Sequence, residues 1–173
     1  MITISDSSPL ILLSKLNRLK LLKKLYTNIL IPQEVYHEVV VRGKQEEYSD
    51  AFRIEMVIQD YIHIKRLNEE YTKRAEKLKS SLGSGESEAI MLALQEDADF
   101  FLADDSEVRK IAESEEIKCR STLGILFQSL HEEIITLEEY EELIDKLSRF
   151  SWLSPEVVSK YLRSGYRRCK NEN

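Results

Sequence analysis

The sequence predicts an α/β fold, a three-layer sandwich in which a five-stranded, mainly parallel sheet lies between helices. Three observations lead there. Short apolar runs of strand length alternate with segments of helical period along most of the chain. The 173 residues fall within the range of one compact domain, with no internal repeat or low-complexity stretch. Acidic residues stand just after two of the predicted strands, where open parallel sheets collect function.

The first strand is Ile2-Thr3-Ile4, and Asp6-Ser7-Ser8-Pro9 turns it into a helix with Ser8 as N-cap and Pro9 in the first helical position. A leucine-rich helix is predicted from Pro9 to Leu25, closed by the turn Tyr26-Thr27-Asn28. Ile29–Ile31 is the second strand. Pro32 opens a short helix whose Val35, Val39 and Val40 make an apolar side, with Glu34 and Glu38 sharing a face at i, i+4 spacing. A helix over Lys44–Gln59, a strand over Tyr61–Ile64 and a charged helix over Glu69–Ser81 follow. Gly83-Ser84-Gly85 breaks the pattern, Glu86–Gln95 resumes it as a helix, and Phe100–Ala103 is the fourth strand, ended by Asp104-Asp105. Ser106–Ser114 is helical, Ile117–Arg120 gives the fifth strand and Thr122–Leu130 a further helix. The tail is helical twice more, from the capping box Thr136-x-x-Glu139 and from Ser154-Pro155-Glu156. The organisation predicted is a principal domain over 1–130 and a helical extension over 131–173 packed on it.

Composition excludes several classes. Cys119 and Cys169 are far apart with no Cys or His cluster, which argues against a disulfide framework or a zinc site and for a reducing compartment. His37, His63 and His131 have no partner spacing and are read as structural or exposed. No run approaches a membrane span and the first residues lack a leader pattern, so a cytoplasmic location is expected, with no membrane partner. The net charge of −6 opposes broad electrostatic wrapping of a polyanion but says nothing about local carboxylates. Basic residues gather at 15–24, 73–79 and 163–170; solvated helix faces or a tail explain most such runs.

The carboxylates point to chemistry. Asp6 follows the first strand and Asp104-Asp105 the fourth, while Glu38, Glu86 and Glu88 lie in helices that start near a sheet edge. Converging carboxylates suit hard Mg²⁺ or Mn²⁺ and hydrolysis of a phosphodiester, chemistry that needs neither sulfur nor imidazole. Each acid also has a plainer reading. Asp6 can close a turn, Asp104 can cap the next helix in a box with Glu107, and Glu86 and Glu88 can answer the helix dipole. Glu38 can be a surface partner.

Four segments in order resemble the PIN domain, the metal-dependent ribonuclease fold of many bacterial and archaeal toxins. They are Ile4-Ser-Asp6-Ser-Ser-Pro-Leu-Ile11, Ile31-Pro32-x-x-Val35-x-x-Glu38, Gly85-Glu-Ser-Glu-Ala-Ile90 and Phe101-Leu-Ala-Asp104-Asp105. The resemblance covers about residues 1–130 and includes Ser121-Thr-Leu-Gly124. It implies a PIN-like fold and an endoribonuclease using Mg²⁺ or Mn²⁺. It places catalysis on Asp6, Glu38, Glu88 and Asp105, and metal on Asp6, Glu88 and Asp105 with Asp104 and Glu86. Ser7 or Ser8 would hydrogen-bond a ligand carboxylate. The family's further aspartate after the catalytic strand is replaced here by Ser106-Glu-Val, leaving Glu107, Asp104 or Glu86 to stand in. The partners implied are RNA, an antitoxin or other protein, and a second copy of the chain docked on leucines of the first helical region.

Other readings stay open. A dehalogenase-type phosphatase needs a second acid where this chain has Ser8, and a receiver domain needs an acidic pair after the first strand. The alternative function is a weak or inert PIN-like module that binds RNA or protein. Its basis is the C-terminal helix, where Tyr161, Arg163, Tyr166, Arg167 and Arg168 lie close together, with Arg163, Arg167 and Arg168 as nucleic-acid contacts.

Overall fold

A computed structural model describes residues 1–170. The last three positions of the predicted 131–173 extension, and the side chain of Lys170, lie outside the described residues. The chain divides into two compact units, Met1–Ser121 and a second that begins at Thr122.

The first unit is built on a five-stranded, all-parallel sheet of order β3-β2-β1-β4-β5. The strands are β1 (Thr3–Ser5), β2 (Ile29–Ile31), β3 (Ile62–Ile64), β4 (Phe100–Leu102) and β5 (Cys119–Arg120). β1 is central and wholly buried, including the polar Thr3 and Ser5. The chain winds outward from β1 through β2 to β3, then returns to the other side of β1 for β4 and β5. That reversal puts the topological switch point between β1 and β4, paired Ser5 to Leu102. Asp6 continues the pairing by donating its N–H to the carbonyl of Leu102 at 2.9 Å.

Helix α1 (Ser7–Lys15) starts one residue before the predicted cap: Asp6, in extended conformation, holds the N-cap position, and Ser8 lies inside the helix. The predicted Pro9–Leu25 helix is two helices, α1 and α2 (Lys20–Tyr26). The division is a left-handed C-cap at Asn17 (φ 56°), where Asn17 N–H reaches the Ser14 carbonyl and Arg18 N–H that of Leu13, satisfying orphan carbonyls. Glu47, Asp97, Glu116 and Glu133 close other helices with the same paired bonds, and no glycine takes positive φ among the described residues. Of the first-region leucines, Leu10, Leu13, Leu16, Leu19, Leu21, Leu22 and Leu25 are buried within the chain, while Leu12 is half-buried.

After β2, Pro32 is the N-cap of α3 (Gln33–Tyr36), which runs into a π-helical stretch, His37–Arg42, and then α4 (Gly43–Gln45). The two acids take different partners: Glu34 pairs with Arg42 at 2.6 Å, while Glu38 meets Ser7. The predicted Lys44–Gln59 helix reduces to α5 (Ser49–Glu55), because the Glu47 cap ends α4 first. α6 (Glu69–Leu78), α7 (Ser84–Gln95) and α8 (Ser106–Ser114) complete this unit, with α7 against β1 and β4 and α8 beside β5.

The second unit packs α9 (Thr122–His131), α10 (Leu137–Phe150) and α11 (Pro155–Lys170) on one another. Thr136 caps α10 by accepting from Glu139 N–H at 3.1 Å. Among the described residues no helix is long and apolar enough to cross a membrane, and Cys119 and Cys169 are free.

Candidate active site

The switch point delivers the acidic residues. Asp6 leaves β1 at 3 % exposure, and its Oδ1 is buried with no hydrogen-bond partner. Oδ2 accepts weakly from Ser8 Oγ at 3.3 Å. Burial is the main reason the Asp6 carboxyl is pushed up to about 7; Glu86 and Glu38 repel the ionised form and raise it further, while the Ser7 backbone N–H and Ser8 oppose them.

Glu38 reaches this place from the π-helical stretch and accepts a short hydrogen bond from Ser7 Oγ. Its carboxylate rests against Gly85 in the first turn of α7, where an added Cβ would stand 2.5 Å from Oε2 and 2.7 Å from Oε1. Gly85 is thus required for the absence of a side chain, not for backbone freedom. One residue on, Glu86 accepts from Gly83 N–H at 2.8 Å, folding its carboxylate back over the helix start. That same group is the largest charged contributor to the shift of Asp6.

Glu88 is placed differently. Its Oε2 accepts from Glu34 N–H at 3.3 Å, and its charged neighbours are Lys79, Glu34 and Glu76 rather than Asp6 or Glu38. Burial raises its pKa, with the Glu34 N–H and Lys79 acting the other way. Asp105, not Asp104, is the helix cap: its exposed carboxylate accepts from Glu107 N–H at 2.7 Å and Val108 N–H at 3.0 Å. Asp104 instead lies one residue nearer β4, with its N–H directed to Ser8 Oγ at 3.4 Å. The structure therefore gathers Asp6, Glu38 and Glu86 and attaches the Asp104 turn through Ser8, while Glu88 is engaged by the Glu34 N–H and Asp105 by the start of α8.

Two contributors were not singled out from sequence. Gly85 opens the seat for Glu38, as its position beside two acids in Gly-Glu-Ser-Glu could have suggested. Arg109, one turn into α8, donates to the carbonyls of Ala103, at 3.2 Å, and Asp104, tying down the turn after β4. A cation four residues past the cap is the sequence signal for such a clasp. Arg168, grouped with Arg163 and Arg167 as a nucleic-acid contact, lies in the second unit with only 16 % of its side chain exposed. It donates to the His131 carbonyl at 3.0 Å and faces Glu133 at 3.9 Å.

Among the described residues no three Asp, Glu, His or Cys side chains already stand arranged to hold a metal ion. The donor set nevertheless fits a hard divalent cation: it is carboxylate and hydroxyl oxygen throughout, and the orphaned Asp6 Oδ1 is a buried acceptor that a cation would satisfy.

Among curated proteins none matches this chain. A protein-family model described as a PIN domain matches residues 2–165, nearly the whole length and beyond the 1–130 span of the motifs. The all-parallel sheet agrees with that match. The chain belongs to the PIN-domain family, whose members are in general nucleases and usually use divalent metal ions.

Proposed function

We propose that this protein is a Mg²⁺- or Mn²⁺-dependent endoribonuclease acting through Asp6, Glu38 and Glu86, with Asp104 as the next acid at the site. The observation that carries the reading is the buried Asp6 at the switch point, with an unpartnered carboxylate oxygen and two acidic neighbours. Like charges gathered at a buried edge are unfavourable for folding alone. They are explained by a cation that the site is built to take.

When bound, the ion supplies positive charge that lowers the pKa of water and offsets negative charge on the scissile phosphate. The chain's own residues hold the acids in position. Ser7 fixes one oxygen of Glu38, Ser8 joins Asp6 to the turn after β4, and the Gly83 N–H orients Glu86. Arg109 keeps that turn from moving. Hydrolysis adds water across the phosphodiester: its oxygen attacks phosphorus, the bridging P–O bond breaks, and the leaving oxygen takes a proton.

The reading is tested with Mn²⁺ and a mixed pool of single-stranded and structured RNA. Cleavage that stops with EDTA and in Asp6→Asn supports it. Absence of cleavage by folded wild type across Mg²⁺ and Mn²⁺ contradicts it and favours a binding role.

A further inference from the structure

The α11 helix carries a feature that catalysis leaves unused. Lys160, Arg163 and Arg167 recur at i, i+3 and i+7, so they fall along one face over about 10 Å of helix. All three are exposed, and among the described residues none forms a hydrogen bond or ion pair through its side chain. On α10 the cations are instead neutralised, Lys146 by Glu142 and Arg149 by Asp145. In a chain of net charge −6, three cations on one helix face with no ion pair among the described residues are not a by-product of general basicity.

The strip borders a groove of about 560 Å³ that also takes in Ser159 and Ser164, with Glu156 its one acidic lining residue. On the other side of Arg163 runs a second groove of about 600 Å³, lined by Leu153, Val158, Leu162 and Tyr166. Tyr166 is 46 % exposed, and its hydroxyl faces Glu141 of α10. Trp152, at the start of the segment, is fully exposed. A cationic strip beside an apolar, aromatic strip matches what single-stranded nucleic acid presents, a phosphate backbone on one side and free base faces on the other. Duplex offers no free base faces, and an apolar protein helix would leave Lys160 and Arg167 without partners.

We propose that α11 is a binding face for single-stranded RNA, with phosphates along Lys160, Arg163 and Arg167 and a base against Tyr166. The choice of RNA rests on the ribonuclease reading; the two-sided geometry stands by itself. Arg168 is excluded by its bonds to His131 and Glu133.

The test uses the full chain in EDTA, so that binding is read without cleavage, and a fluorescein-labelled 16-nucleotide oligouridylate followed by anisotropy from 50 to 300 mM KCl. The combined Lys160→Gln, Arg163→Gln, Arg167→Gln variant is expected to bind at least ~10-fold more weakly at 50 mM and to lose about 2 from the log–log salt slope. Tyr166→Ala is expected to weaken binding ~5-fold or more with the slope unchanged. Circular dichroism checks folding, and Arg163→Gln alone, with about a third of the slope change, serves if the combined variant does not fold. Wild type that fails to bind, variants that bind within 2-fold at the same slope, or preferential binding of polyglutamate over RNA each overturns the proposal, the last in favour of an acidic protein partner. Cleavage by wild type with unaffected variant binding sinks this face and spares the nuclease reading. Binding that depends on the strip without any cleavage under Mn²⁺ does the reverse.

Discussion

Asp6 joins stability and function in one side chain. Its carboxyl ionises in the unfolded chain at about pH 4 but in the native protein only at about 7, so between these values the native state holds a proton that the unfolded state has released. Each step up in pH through that window favours unfolding, with a total on the order of 4 kcal/mol for this group. Asp6→Asn removes the buried charge and is predicted to stabilise the metal-free protein at pH 8 by on the order of 2 kcal/mol, roughly 5 °C in Tm, with the gain vanishing near pH 5. Melts of both proteins at the two pH values check it; an equal shift at both would show that charge burial is not the cause. Gly85→Ala makes the opposite separation. The new Cβ meets the carboxylate of Glu38, which must leave its seat and its bond to Ser7, while alanine favours the helix, so Tm should change little while cleavage falls at least ~10-fold. Unchanged cleavage would mean that Glu38 works equally well displaced from its seat. At this scale the sequence was only partly legible. The place of Asp6 followed from a strand running into a proline-marked helix. The choice between Glu86 and Glu88 depended on helix phase, because α7 starts at Ser84, inside the glycine break, rather than at Glu86.

The elements show why their boundaries were harder to read than their existence. Asn17, Glu47, Asp97, Glu116 and Glu133 all close helices at positive φ, a role the sequence usually signals with glycine. Without that signal, α1 and α2 read as one helix, and the break after α4 was invisible. The π-helical stretch that carries Glu38 has no periodic signature either. These caps are also places to gain stability: Glu116→Gly is predicted to add about 0.5–1 kcal/mol by removing left-handed strain. Denaturant melts measure this, and a loss would show that Glu116 does more than turn the chain. Gly165 lies under a different constraint. A Cβ there would stand 2.6 Å from Cε1 of Tyr140, a fully buried ring whose hydroxyl donates to the Tyr161 carbonyl at 3.0 Å. Gly165→Ala is therefore predicted to destabilise the second unit by about 1–3 kcal/mol, read as faster hydrogen exchange in α10 and α11. Protection equal to wild type would mean that the ring gives way freely.

For the whole molecule, sheet topology turns distant segments into one site. β1 and β4 are nearly a hundred residues apart in sequence yet adjacent in the sheet, so the Asp6 and Asp104 turns meet at the switch point, with the start of α7 supplying Glu86. This much was legible, because alternating strands and helices leave few topologies and because function concentrates where strand order reverses. What was not legible is which way each carboxylate points, a matter of caps and single hydrogen bonds. The most direct measurement is therefore Mn²⁺-dependent RNA cleavage by four folded variants beside wild type: Asp6→Asn, Glu86→Gln, Glu88→Gln and Asp105→Asn. The account predicts loss of ~100-fold or more in the first two, corresponding to about 3 kcal/mol, and less than ~5-fold loss in the last two. Full activity in Glu86→Gln together with inactivity in Glu88→Gln would contradict it and move the site to the other face of α7.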